Sequence, residues 1–179
     1  AACPEAGPEG EWSKRIPLMA NQIKELFGCI PDELEKFAMA SQISQAEAFK
    51  FFIELFRLNR FKRTGIIWWN LIDGWPQFSD AVVDYYFRKK LAYYYIRQVQ
   101  RPVLLAFAEP KDWEISLQGV NDTEDEAVLR WKVKEYEGHS SKEAASGTAV
   151  LDHEVRTLWK TEFSHGEKKI YLIEWEWKG

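Results

Sequence analysis

Residues 64–95, TGIIWWNLIDGWPQFSDAVVDYYFRKKLAYYY, decide how the chain is read. Gly65 opens an apolar run, Ile66 to Trp69, that closes into Asn70. It is too short for a helix and suits a strand buried on both faces, which makes a parallel strand the natural reading. Leu71 to Ala81 follow as a loop carrying Asp73, Gly74, Trp75 and Pro76. An amphipathic helix is expected to begin near Asp80 or Asp84 and to run to Gln100. Tyr85, Leu91, Tyr94 and Tyr95 would then face inward, and Arg88, Lys89 and Lys90 outward. Strand, aromatic loop and helix form one β/α unit, and in such units the loop after the strand's carboxyl end is where ligands bind.

Upstream, residues 1–11 are rich in Pro, Gly, Ala and Glu and read as a loop or disordered lead-in. Trp12 to Phe27 reads as helix from about Leu18, with Leu18, Ile23, Leu26 and Phe27 as its apolar face and Gly28 as its C-cap. Pro31, Asp32 and Glu33 open a second helix. A brief break is expected near Ser41, where the side chain can cap a new segment. Ile43, Ala46, Phe49, Phe52 or Ile53, and Phe56 then form a stripe at helical spacing up to Asn59. The basic residues that follow, Arg57, Arg60, Lys62 and Arg63, read as a solvated helix end.

Downstream of Arg101 and Pro102 the period changes from helical to two. Val103–Phe107, Trp113–Val120, Val128–Tyr136, Ala149–Phe163 with interruptions, and Ile170–Trp177 alternate, separated by the turn clusters EPKD, NDTEDE, EGHSSKE and SHGEK. About six such strands suit an immunoglobulin-like β-sandwich. The expected class is α+β, with a domain boundary between Arg101 and Leu104, dividing the chain into 1–101 and 102–179.

Composition narrows function. The net charge of -4, without a basic helix face, argues against nucleic acid and anionic membrane as partners. No stretch has the length and apolarity of a membrane span. Nine Trp are consistent with stacking of sugar rings or with plain core. Cys3 and Cys29 read as free thiols. The chain opens with Ala rather than Met, as a processed or truncated chain does, so the compartment stays open with the cytoplasm favoured.

Chemistry is thin. His139, His153 and His165 fall in or beside turns without metal-ligand spacing, and no phosphate loop or nucleophile elbow occurs. No metal or other cofactor is expected. The acidic run Asp122, Glu124, Asp125 and Glu126 reads as an exposed turn rather than a calcium loop. Asp73, Asp80 and Asp84 are the acids near the aromatic loop, and caps or dipole partners explain them better than catalysis does. Of Trp68 and Trp69, neighbours in a strand, one must face the sheet axis while the other packs on helices.

GIIWWNLIDGWPQFSDAVVDYYFRKKLAYYY resembles the eighth strand, following loop and last helix of the (β/α)8 barrel of glycoside hydrolase family 2, in its β-mannosidase-like branch. There the pattern runs approximately G-x-L-Y-W-Q-L-N-D-x-W-P. SQISQAEAFKFFIELFR is similar to the seventh barrel helix, often S-Q-x-x-Q-A-E-A. Arg101–Gly179, with WEISLQGVND and YLIEWEW, resembles the immunoglobulin-like domain after the barrel. The resemblance implies a C-terminal fragment of a TIM barrel, helices plus last strand, and then that sandwich. It assigns Trp69 to the floor of the sugar subsite and matches Asn70, Asp73 and Trp75 to substrate-binding positions, with Ile72 where many relatives carry Asn.

It also implies that the acid/base and nucleophile glutamates, which follow the fourth and seventh strands, lie outside this sequence. Glu11, Glu33 and Glu47 do not replace them. The expectation is the C-terminal part of a retaining exo-glycosidase for terminal β-linked sugars, inactive alone, with a carbohydrate as partner and exposed barrel surfaces through which copies could associate. The alternative is a non-catalytic carbohydrate-binding or protein-interaction β-sandwich.

Overall fold

The computed structural model describes residues 15–166 and 169–178. The lead-in with Cys3, Glu11 and Trp12 lies outside the described residues. Three helices precede six strands: α1 Arg15–Phe27, α2 Leu34–Leu58, α3 Leu91–Val99, β1 Val103–Phe107, β2 Glu114–Asn121, β3 Ala127–Glu137, β4 Ser140–Leu151, β5 Arg156–Glu162 and β6 Ile170–Lys178. They fall into two compact units. One joins the residues up to Lys50 with Trp68–Ile96, and the other joins Phe51–Ile67 with the residues from Arg97 on.

The second unit holds the strands as two three-stranded antiparallel sheets, ordered β1-β2-β5 and β4-β3-β6. Alternation along the strands puts one face of each into a common core, in which Val103, Leu105 and Leu117 meet Ala127, Leu129, Trp131, Val133 and Leu151. Gly119 lets the sheets approach there, because a Cβ would sit 2.8 Å from both Leu151 methyl groups and force that side chain to shift. Asn121, fully buried, donates to Asp125 O at 2.8 Å and Leu151 O at 3.0 Å, and accepts from Thr123 N and Oγ1. Those bonds satisfy the amide and shape the turn before β3. Four strands match the expected segments closely. The region from Ala149 to Phe163 resolves into the end of β4, a turn and β5, and β4 begins as early as Ser140, so EGHSSKE supplies only a tight turn at Gly138 and His139.

Of the basic residues at the end of α2, Lys62 and Arg63 are exposed as expected, but Arg57 and Arg60 are not solvated. Arg57 donates to Val99 O at 2.6 Å, Arg101 O at 2.7 Å and Pro102 O at 2.9 Å, and to Asp122 Oδ2 at 2.6 Å. Arg60 donates to Asn121 O at 2.7 Å and lies 3.1 Å from Asp122 Oδ1. Asp122, expected in an exposed acidic turn, is the counter-ion of both. Burial pulls the Arg57 pKa below its usual value, and Asp122 draws it part of the way back. A planar fork of donors facing several carbonyls suits arginine and no other side chain.

In the first unit α1 ends as expected at Gly28, whose φ of +79° is left-handed and whose N–H bonds Lys24 O at 2.8 Å. Its expected apolar face differs: Ile23 is buried, while Leu18, Leu26 and Phe27 are exposed. α2 runs through Ser41 without a break. Ser44 Oγ donates to Ala40 O at 3.0 Å inside the helix, and a second nucleus would cost more than propagating the first. Ala46 and Ile53 are buried and Phe52 is exposed, which settles the stripe on Ile53.

Two expectations around the aromatic loop are overturned. Ile66–Asn70 forms no strand, and Ile67 is 99% exposed. A strand buried on both faces needs neighbours on both edges, and among the described residues none pairs with it. Nor does the helix begin at Asp80 or Asp84. The Asp84 carboxylate accepts from the N–H groups of Tyr86 and Arg88, both at 2.9 Å, and from Arg88 Nε at 2.8 Å. This closed turn competes with helix, and Phe87 within it adopts φ 63°. α3 starts only at Leu91, and Tyr85 and Tyr94, expected inward, are exposed.

Candidate functional site

The loop between Asn70 and Lys90 is organised by one buried carboxylate. Asp73 is 4% exposed, and its Oδ1 accepts from Ser79 Oγ and from Gln77 Nε2 at 3.1 Å. Lys90 Nζ lies 3.4 Å from Oδ2 and donates to Ser79 O at 3.2 Å. Lys90, expected to point outward, therefore faces into the loop, because a buried acid needs a cation beside it. The backbone follows. Asp73 N bonds Val83 O at 3.1 Å, Val83 N bonds Leu71 O at 3.0 Å, and Ile72 and Val83 form an isolated parallel bridge.

The polar residues of SQISQAEA hold this loop to α2. Gln42 Oε1 accepts from Leu91 N at 3.0 Å and so caps α3, and Gln45 Nε2 donates to Asp80 O at 2.6 Å. Glu47 accepts a hydrogen bond from Tyr95, whose phenol is pushed above its usual pKa by burial and by that carboxylate. Gln42 and Gln45, three apart, are neighbours on the helix surface, Glu47 projects from another face, and each reaches a different part of residues 80–95.

Against this frame the two adjacent indoles separate. Trp68 is half-buried, edge to face on Phe49 of α2 with ring centroids 5.6 Å apart. Trp69 is 77% exposed, and the Trp69–Asn70 peptide is cis. Asn70 Oδ1 is buried with no hydrogen-bond partner. Trp75, on the turn after Gly74, is 61% exposed. An open hollow of about 550 Å³ is lined by Ile72, Asp73, Tyr85, Tyr86 and Phe87, without Trp69 or Trp75. Tyr85, Tyr86 and Phe87 on that wall follow from the unexpected Asp84 turn, so helical periodicity could not reveal them.

The carboxylates of Asp73 and Asp84 are already engaged. Asp73 has all its close donors inside the loop. Partial desolvation draws the Asp84 carboxyl upward, but the Arg88 N–H, the Arg88 guanidinium and the Tyr86 N–H outweigh it and hold it below the usual carboxylate range. Among the described residues no group of three or more His, Cys, Asp or Glu is placed to hold a metal, and no helix is long and apolar enough to cross a membrane. The arrangement presents the exposed indoles of Trp69 and Trp75 and, around the hollow, the rings of Tyr85, Tyr86 and Phe87.

No family model matches the chain. It is 35% identical over 88 residues to β-mannosidase B of Aspergillus niger, covering 47% of this chain and 10% of that protein. It is 26% identical over 154 residues to β-mannosidase B of Thermothelomyces thermophilus, covering 75% of this chain and 18% of that protein. The chain thus spans less than a fifth of the curated relatives it matches. The crystal structure of a β-D-mannosidase from Dictyoglomus thermophilum superposes with a TM-score of 0.77 at 22% identity, covering 90% of this chain and 20% of that one. The exo-chitosanase CsxA of Amycolatopsis orientalis superposes with a TM-score of 0.67 at 19% identity, over 89% of this chain and 21% of that one. These similarities, with the linked motifs around Gln42–Glu47 and Trp69–Pro76, make the chain a relative, over part of their length, of the β-mannosidase-like members of glycoside hydrolase family 2.

Proposed function

We propose that this chain is the C-terminal part of a retaining exo-glycosidase that cleaves terminal β-linked sugars, with a β-mannoside as the favoured substrate. The observation that carries the reading is Trp69, an indole 77% exposed directly after a packed Trp68, at the position the resemblance gives to the floor of the sugar subsite. Trp75 supplies a second stacking face. The buried Asn70 Oδ1 has no partner and would be satisfied by a donor from substrate or from the rest of the parent barrel. Asp73 holds the loop through Ser79, Gln77 and Lys90.

Retaining hydrolysis needs two carboxyl groups about 5–5.5 Å apart, one as nucleophile and one as acid/base. Asp73 and Asp84 are committed to loop and turn, so both reacting glutamates are assigned to the parent protein outside these residues, and the chain alone is inactive. Residues 1–101 would then close the catalytic barrel, and 102–179 would be its immunoglobulin-like sandwich. In the full-length parent, Trp69→Ala is expected to lower kcat/KM for p-nitrophenyl β-mannoside by at least about tenfold. An unchanged kcat/KM would remove Trp69 from the subsite. Hydrolysis of that substrate by the isolated chain would show that its acids had been misassigned.

A further inference from the structure

The hairpin joining β1 to β2 turns on an unusual pair. Lys111 and Glu114 exchange both backbone hydrogen bonds at 2.9 Å, which leaves Asp112 and Trp113 as the two central residues, with φ 53° and 63°. Two positive φ values mark a type I′ turn, whose favoured sequences are Asn-Gly and Asp-Gly. A bulky side chain at the second position is a conformational outlier that glycine would relieve. Packing does not explain the choice, because Trp113 is 70% exposed.

Trp113 is nevertheless held. The His165 ring stands 5.8 Å from the indole at an interplanar angle of 80°, and the Phe163 ring backs His165 at 4.8 Å. Phe163 N donates to Trp113 O at 2.8 Å. Around this supported indole lie exposed polar groups, Lys111, Asp112 and Glu114, the last paired with Lys160 at 3.0 Å. One flat ring in a charged rim offers far less than the roughly 800 Å² per partner of a specific protein interface. It matches a pyranose, whose C–H face stacks on an indole while its hydroxyls reach the rim.

We propose that Trp113, steadied by His165 and Phe163, is a stacking platform for a pyranose ring of a β-linked oligosaccharide, in the second compact unit and separate from the Trp69 loop. The choice of a sugar as ligand rests in part on the function proposed above, whereas the site itself rests on the turn and its rings. The turn keeps an unfavourable residue where binding gains from it.

Calorimetric titration of the 179-residue chain with β-1,4-mannohexaose, and in parallel with a β-1,4-linked glucosamine hexamer, tests this. At least one is expected to bind, and Trp113→Gly and Trp113→Asn to weaken that binding about tenfold or more. Their thermal midpoints should equal or exceed that of the unmodified chain, since both residues suit a left-handed turn. A loss that depends on Trp113 upholds the platform, whatever Trp69→Ala does. Unchanged affinity in both Trp113 variants, absence of binding to either hexamer, or lowered midpoints in both variants would overturn it. Loss through Trp69→Ala alone would also overturn it, while supporting the Trp69 subsite.

Discussion

Residues 103–178 and residues 65–90 are both rich in alternating or aromatic positions, yet only the first stretch builds regular structure. In the two sheets every central strand finds its partners within the same eighty or so positions, so alternation converts directly into a shared core. Around Ile66–Asn70 the apolar run has no strand beside it among the described residues, and Ile67 stands almost fully in solvent. That loop is held instead by point contacts, through Asp73, Lys90, Gln42 and Gln45. Strand propensity states what a segment can do when flanked. It does not supply the flanks.

The comparison can be broken first at the core shared by the two sheets. Leu117→Ala, which empties a fully buried position between the sheets, should cost about 2–5 kcal/mol in urea unfolding. A smaller loss would mean that the core is looser than its burial implies. Next comes Arg57→Ala, which leaves three backbone carbonyls without their donor and Asp122 with Arg60 alone, and should cost about 1.5–3 kcal/mol by the same measurement.

Asp73→Asn sharpens the contrast on the other side. It should lower global stability by about 1–2 kcal/mol while raising amide exchange selectively at Asp73 and Val83, whose N–H groups close the loop. Uniform exchange across both units would refute a loop fastened by point contacts. The smallest effect is on pH. The Asp84 carboxyl is held below its unfolded value, so its contribution is complete above that value and disappears as pH falls through the folded one. In an NMR titration its midpoint should lie below that of a free aspartate, and the Tyr86 and Arg88 amide shifts should move with it. Arg88→Gln should bring the midpoint back toward the ordinary value.

Much of this was legible from residues alone where the cause is local. Gly28 as a cap, the stripe through Ala46 and Ile53, and the four alternating segments that became β1, β2, β3 and β6 each depend on neighbours within a few positions. What was not legible depends on distant partners. Nothing local distinguishes Arg57 at a wet helix end from Arg57 among the carbonyls of Val99, Arg101 and Pro102. Lys90 looks like a surface lysine until Asp73 is placed beneath it. Asp84 lies where a helix would start, but its side chain closes a turn on Tyr86 and Arg88 before the helix can form. At the candidate site, the resemblance pointed to Trp69, Asn70, Asp73 and Trp75, whereas the wall of Tyr85, Tyr86 and Phe87 emerged only with that turn. Trp113, read as the first residue of a strand, sits instead in the preceding turn, because Asp-Trp is not a pair that signals one.

The Arg57 clamp has a consequence for the order of folding. Its partners are 42, 44, 45 and 65 positions away in the chain. The loop-closure entropy for those bonds must be met before any of them forms, whereas the β1–β2 and β3–β4 hairpins close over short spans. The clamp therefore belongs on the native side of the rate-limiting barrier. Weakening it would leave refolding nearly as fast as before and shorten the lifetime of the folded chain. The guanidinium acts as a latch on an assembly that other contacts have already drawn together.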